Sequence, residues 1–215
     1  MNPEEQKKYF EQAYATGSDI WTHIPYEKRG VALLGHLPEN SLILDMGSGR
    51  GTWSFELASM GYRVIGIDYA KNAVIKANKD AKDRGLEKKV RFVEADVLNI
   101  PFKEPIFDAV IDFGLMQHIQ KENWDDYIRE VARVIKPKGY FLKVVFSKET
   151  TSFLGFNPKE SEDGEFEKDG IHYHFFTGEE AAKLFEKEFE IIEQKIETPS
   201  KKDIPVFIST LMRKR

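Results

Sequence analysis

Three aspartates sit at or near the ends of three successive apolar runs, and a glycine-rich loop follows the first of them. Asp45 lies in "SLILDM" (41–46), ahead of Gly47, Gly49 and Gly51; Asp68 ends "YRVIGID" (62–68), and Asp96 ends "KVRFVEAD" (89–96). A carboxylate accepts hydrogen bonds and attracts positive charge, while glycine lets a ligand come close to the backbone. Gathered at one edge of a sheet, such groups would receive a ligand that carries hydroxyls and a cationic end.

The spacing narrows the ligand. A dinucleotide fingerprint needs G-x-G-x-x-G, and here Gly47 and Gly49 fit but the last position is Thr52. No G-x-x-x-x-G-K-[ST] stretch occurs, which excludes a P-loop. Asp45 would repel a pyrophosphate yet attract an ammonium and a sulfonium group. That charge pattern is S-adenosylmethionine's. Asp68 is then placed for a ribose diol, a feature shared with NAD enzymes. Asp96 is placed for an adenine amino group, with Val97 and Leu98 offering apolar contact to the ring.

Other side chains have chemistry of their own. His118, in "LMQHI", follows the fourth apolar run and is a candidate general base for an oxygen or nitrogen nucleophile; the alternative is a histidine that orients its loop. His172 and His174 share a face if "IHYHFF" is a strand, but no third metal ligand is evident, so no metal is expected. Tyr9, Phe10 and Tyr14 have helical spacing and read as a packing stripe or a substrate wall. Trp21 is either a core aromatic or part of a lid.

The elements that must carry these residues alternate. Apolar, β-branched runs at 41–46, 62–68, 89–96, 107–113 and 139–146 are strands, and 51–60, 70–85 and 121–136 between them are helices. That rhythm predicts parallel βαβ units with helices on both faces. "TGEE" at 177–180 is a capping box that opens a helix to about Lys187, and strands at 189–197 and 205–214 close the chain as an antiparallel pair. Residues 1–40 read as two helices around a loop, and 147–176 as a long polar loop dotted with aromatics.

Composition sets outer bounds. The 215 residues fit one large α/β domain, and 41% hydrophobic content supplies a core. Lys and Arg number 32 against 36 Asp and Glu, a net charge of −4, which gives no global case for nucleic acid or anionic membrane as partner. There is no cysteine, hence no disulfide, thiolate metal site or cysteine nucleophile. Neither a signal peptide nor a run of 18 apolar residues is present, so a cytoplasmic location is expected.

The segments "LILDMGSGRGTWS", "VIGIDYAKNAVIKA", "VRFVEADVLNIPF", "FDAVIDFGLMQHI" and "ARVIKPKGYFLKVVF" together resemble the class I S-adenosylmethionine-dependent methyltransferases, in order and spacing, over roughly 40–146. The resemblance implies a Rossmann-like, seven-stranded mixed sheet of order 3-2-1-4-5-7-6 flanked by helices. It implies Asp45, Gly47, Ser48 and Gly49 around the methionine moiety, Asp68 with Tyr69 at the ribose, Asp96 and Val97 at the adenine, and Phe113 against the cofactor. "YATGSDIWTHIPYEKRG" looks like the N-terminal loop of the thiopurine, thiol and tellurite-resistance branch, which makes Trp21 a candidate to close over the cofactor and Arg29 a candidate partner of its methionine carboxylate. The expected organisation is one domain: an N-terminal helical lid (1–40), a cofactor-binding core (41–146), a substrate-cap insertion (147–176), and a C-terminal helix with a strand pair (177–215). The expected partner is a small-molecule methyl acceptor, handled by a monomer or homodimer without nucleic acid or membrane.

Overall fold

A computed structural model describes residues 3–19, 21, 34–35, 37–199 and 204–215. Seven strands form one sheet. β1 (Leu42–Met46), β2 (Arg63–Asp68), β3 (Val90–Glu94), β4 (Phe107–Phe113) and β5 (Ile135–Phe146) run parallel. β8 (Phe189–Glu197) and β9 (Phe207–Lys214) are antiparallel, giving the order β3-β2-β1-β4-β5-β9-β8. That is the expected order, with the last two strands renumbered because a hairpin precedes them.

Both faces of the sheet are covered, and alternate residues of one strand serve opposite cores. Leu44, Val110 and Phe141 face a cluster with Tyr127, Phe185 and Phe189. Ile43, Ala109, Ile111 and Leu142 face a second with Phe55, Leu57 and Phe92. This second face is covered by α2 (Thr52–Ser59) and α3 (Lys71–Asp83). α3 buries Ala73, Val74, Ala77 and Ala81, a stripe at helical spacing.

Three expectations need correction. The helix expected over 121–136 is a 3₁₀ turn, Lys121–Asn123, followed by α4 (Trp124–Val134), and the chain enters β5 already at Ile135. The early part of β5 pairs irregularly, with a register shift on β4 between Phe107 and Ala109, as Pro137 without an amide donor requires. The capping box forms only half. The Thr177 hydroxyl accepts from the Glu180 N–H at 3.1 Å, but the Glu180 carboxylate reaches His174 Nε2 at 3.0 Å, and α5 (Gly178–Lys183) ends four residues early as Phe185 and Phe189 turn into the core.

The third correction concerns 147–176, which is ordered rather than a polar loop. β6 (Glu165–Lys168) and β7 (Ile171–His174) form a hairpin across Asp169 and Gly170, both at positive φ, 54° and 75°. A two-residue hairpin turn of that kind favours Asp-Gly, so "EFEKDGIHYH" carried the signal. Phe153, Tyr173 and Phe175 from this region pack with Val144, Phe146 and Phe207 as a third cluster beyond the carboxyl end of the sheet. The N-terminal helix α1 (Pro3–Thr16) adds Tyr9 and Phe10 to the same cluster.

Candidate active site

Between α1 and the carboxyl ends of β1, β2, β3 and β4 lies a cavity of about 520 Å³. Among the residues expected to form a site, Trp21, Gly47, Ser48, Gly49, Asp68, Tyr69, Asp96, Val97, Phe113 and His118 all line it. Arg29 lies outside the described residues.

The glycine loop is held by Asp68. Its Oδ2 accepts from Gly49 N–H at 2.9 Å and its Oδ1 from Ala70 N–H at 2.8 Å, and the side chain is buried. Burial pushes the carboxyl up to about 6, against the two backbone donors that pull it down. Gly49 is at φ 52°, and a Cβ there would sit 2.5 Å from the Tyr14 hydroxyl, so the loop has no room for a side chain beside α1.

Asp45 is a correction. Its carboxylate does not line the cavity but accepts from Ser54 Oγ of α2 at 2.6 Å beneath the loop. Fully desolvated there, it is pushed up to about 7. The bond to Ser54 ties the end of β1 to α2, which begins directly after the loop. Asp96, by contrast, is exposed at the cavity and accepts from Leu98 N–H at 2.9 Å, a local turn that presents the carboxylate beside Val97.

Aromatic rings form the rest of the wall. Phe113 stacks on Trp53 with centroids 4.4 Å apart and 18° between planes. The Trp21 indole donates to the Tyr14 hydroxyl at 2.7 Å and meets Phe10 edge-on at 4.9 Å. His118 donates through Nδ1 to the carbonyl of His172 at 2.8 Å, a bond that only the Nδ1–H form can make. Burial holds its imidazole down to about 4, so it is neutral at physiological pH.

Sequence reasoning missed several contributors. Gln6 lines the cavity on the face of α1 that carries Phe10 and Tyr14, the two residues expected as a packing stripe or substrate wall; the i, i+4, i+8 spacing was the available signal for it. Glu11 of the same helix caps α3: Lys71 N–H and Asn72 N–H donate to its carboxylate at 2.5 and 3.0 Å, a contact between segments 60 residues apart that no local pattern reveals. Asp112 is fully buried and takes Leu115 N–H, Met116 N–H and the Tyr127 hydroxyl at 2.8, 3.1 and 2.5 Å, fixing the loop that carries Gln117 and His118. Lys143, its register partner on β5, donates to the Ala181 carbonyl at 3.0 Å and is drawn down to about 7 by burial.

His174, the other half of the possible metal pair, is fully buried between Glu165 at 2.6 Å and Glu180 at 3.0 Å. Among the described residues no group of three or more such side chains is arranged to hold a metal, and no helix is long and apolar enough to cross a membrane.

The sheet order and the ligand cavity at its carboxyl edge define the Rossmann-like class I methyltransferase fold. Comparison with known proteins agrees: residues 43–139 match the family described as a methyltransferase domain. It is 32% identical over 157 residues to a tRNA (carboxymethyluridine(34)-5-O)-methyltransferase of Arabidopsis thaliana, covering 71% of this chain and 36% of the relative. It is 31% identical to a ubiquinone/menaquinone biosynthesis C-methyltransferase of Azotobacter vinelandii, over 63% of this chain and 52% of the relative. The chain thus spans about a third to a half of the length of these relatives. In structure it superposes on the 1,6-didemethyltoxoflavin-N1-methyltransferase of Burkholderia thailandensis, solved with S-adenosylhomocysteine and 1,6-didemethyltoxoflavin, at TM-score 0.79 and 23% identity, covering 97% of this chain and 86% of the other.

The residues present fit that cofactor. Ser48 Oγ and Gln117 Oε1 both belong to cavity-lining residues, and both are buried without a hydrogen-bond partner, as expected of groups that await a polar ligand.

Proposed function

We propose that the chain transfers a methyl group from S-adenosylmethionine to a small organic acceptor bound under α1. One observation carries the reading: a single cavity has the glycine loop, Asp68 and Asp96 on one side and Phe10, Phe113, Phe146 and His118 on the other. Its volume suits a cofactor with a small acceptor, and α1 lies across it where a macromolecular substrate would need access. The net charge of −4 also favours a small acceptor over tRNA.

When bound, S-adenosylmethionine supplies an activated methyl on a sulfonium that leaves by in-line displacement. The protein's work is alignment and exclusion of water. In this reading Asp68 accepts from the ribose hydroxyls and Tyr69 flanks them. Asp96 accepts from the adenine amino group while Val97 touches its ring. Gly47, Ser48 and Gly49 surround the methionine moiety, Trp21 closes over it, and Phe113 packs against it. The 147–176 region backs the cavity wall through His118, with the Tyr173 ring 5.0 Å from it and the His172 carbonyl orienting it. His118 Nε2 takes a hydrogen bond from the nucleophile. With its imidazole held near 4, accepting a full proton at pH 7 would cost about 4 kcal/mol, so orientation outweighs base strength.

Thermal denaturation with and without S-adenosylhomocysteine tests the cofactor site. At a hundredfold excess over the dissociation constant the wild type gains about 2.7 kcal/mol. Asp68→Ala should lose that gain. A wild type that does not shift at saturating ligand overturns the reading. Methyl label appearing in tRNA but in no thiol, phenol or amine would keep the cofactor and overturn the small acceptor.

A further inference from the structure

We propose that Gln6 is a positioning residue that holds His118 in one tautomer, and that the site so completed takes acceptors presenting an N–H or O–H at the reacting atom. The second half rests on the methyl-transfer reading above; the first does not.

Three hydrogen bonds close a ring around His118. Gln6 Nε2 donates to the His118 carbonyl at 3.0 Å, His172 N–H donates to Gln6 Oε1 at 3.0 Å, and His118 Nδ1 donates to the His172 carbonyl at 2.8 Å. The ring joins three segments distant in sequence: α1, the loop after β4, and β7. The amide of Gln6 has one workable orientation, because turned over it would set its NH₂ against an N–H and its oxygen against a carbonyl. Gln6 therefore fixes the spacing between the His118 backbone and the His172 strand, and with it the carbonyl that His118 Nδ1–H must reach.

With Nδ1 protonated, a neutral imidazole carries a lone pair on Nε2. That nitrogen has no hydrogen-bond partner among the described residues, and His118 lines the cavity. Its other neighbours are ring edges: Tyr173 at 5.0 Å, Phe10 at 5.6 Å and Phe146 at 6.5 Å. The adjacent Gln117 is another lining residue, and its Oε1 is buried without a partner. An unpaired acceptor among ring edges is complementary to a ring bearing a donor. It repels a carboxylate, and a ligand without a donor leaves it desolvated and unpaired.

Nuclear magnetic resonance of the full chain with ¹⁵N-labelled histidine reads the tautomer directly, His118 being assigned from His118→Asn. We expect His118 in the Nδ1–H form without any ligand. In Gln6→Ala that single form should give way to a mixture with Nε2–H, and Gln6→Glu, which sets an oxygen against the His118 carbonyl, should not retain it either. An Nε2–H or doubly protonated His118 in the wild type at pH 7, or an unchanged tautomer in Gln6→Ala, overturns the positioning role. With S-adenosylhomocysteine present, 2-naphthol should move the Nε2 resonance and 2-methoxynaphthalene, the same ring without the donor, should not. Equal response to both, or none to naphthol in protein that binds S-adenosylhomocysteine, overturns the acceptor class. The melting shift with S-adenosylhomocysteine reports separately on the methyltransferase reading, and its failure would leave the ligand-free tautomer result standing.

Discussion

At the scale of residues, the site is built on carboxylates kept out of water. Asp45, Asp68 and Asp112 are buried at the ends of adjacent strands and raised to about 7, 6 and 6 from an ordinary 3.8. Desolvation is the largest cause for each. Asp45 makes the linkage testable because it lies beneath the loop and need not touch a ligand. Between pH 4 and 7 the folded state keeps a proton on Asp45 that the unfolded chain has lost, so this group's stabilisation is complete below pH 4 and is lost as pH rises to 7. Each pKa unit corresponds to about 1.4 kcal/mol. His118, lowered to about 4, works in the opposite direction over part of the same range, which is why a single-site comparison is needed. Asp45→Asn removes only the Asp45 contribution and still accepts from Ser54. Chemical denaturation from pH 4 to 8 should show the wild type losing a few kcal/mol relative to the variant as pH rises; parallel curves would refute the buried, protonated Asp45.

At the scale of elements, α1 is joined to the rest of the molecule by polar contacts with backbone as well as by the rings of Tyr9, Phe10 and Tyr14. Gln6 bridges His118 and His172, Glu11 caps α3, and Lys76 of α3 donates to the Tyr14 carbonyl. The first residues of α3 have no side-chain cap of their own, because its N-cap position is Ala70. Glu11 therefore satisfies amides that would otherwise face water, and its charge suits a helix N-terminus. Glu11→Ala should destabilise the chain by about 1 kcal/mol, the usual cost of a lost cap. It should also weaken S-adenosylhomocysteine binding by releasing the helix that closes the cavity. Urea denaturation and ligand titration of the one variant measure both; a stability loss with unchanged affinity would separate the cap from the lid.

At the scale of the molecule, a rigid sheet with two buried faces supports a cover held at its carboxyl edge by fewer apolar contacts. Regions with that character open at lower free energy than the core. Bound cofactor would add contacts from the glycine loop to Phe10, Tyr14 and Trp21, coupling α1 to the sheet through the ligand. Hydrogen exchange should therefore slow in α1 by roughly tenfold or more with S-adenosylhomocysteine, while β1 and β4 amides change little. Equal slowing throughout would mean that α1 is already part of the cooperative core.

The strand order and most of the cavity wall were legible in the sequence, because each rests on a local pattern. Apolar runs alternating with amphipathic helices dictate a parallel sheet. A strand that ends at its carboxyl edge must deliver Asp68, Asp96 and Phe113 to the same rim, whatever the rest of the chain does. The Asp-Gly turn of the β6–β7 hairpin was equally local and simply went unread. Tertiary structure alone decided which way Asp45 turns, that Gln6 lines the site and Glu11 caps α3, and that His118 offers Nε2 rather than Nδ1. These depend on partners 9, 60 and 54 residues or more away. Such pairings arise only once the sheet has brought the segments together, since a hydrogen bond is set by distance in space and leaves no period in the chain.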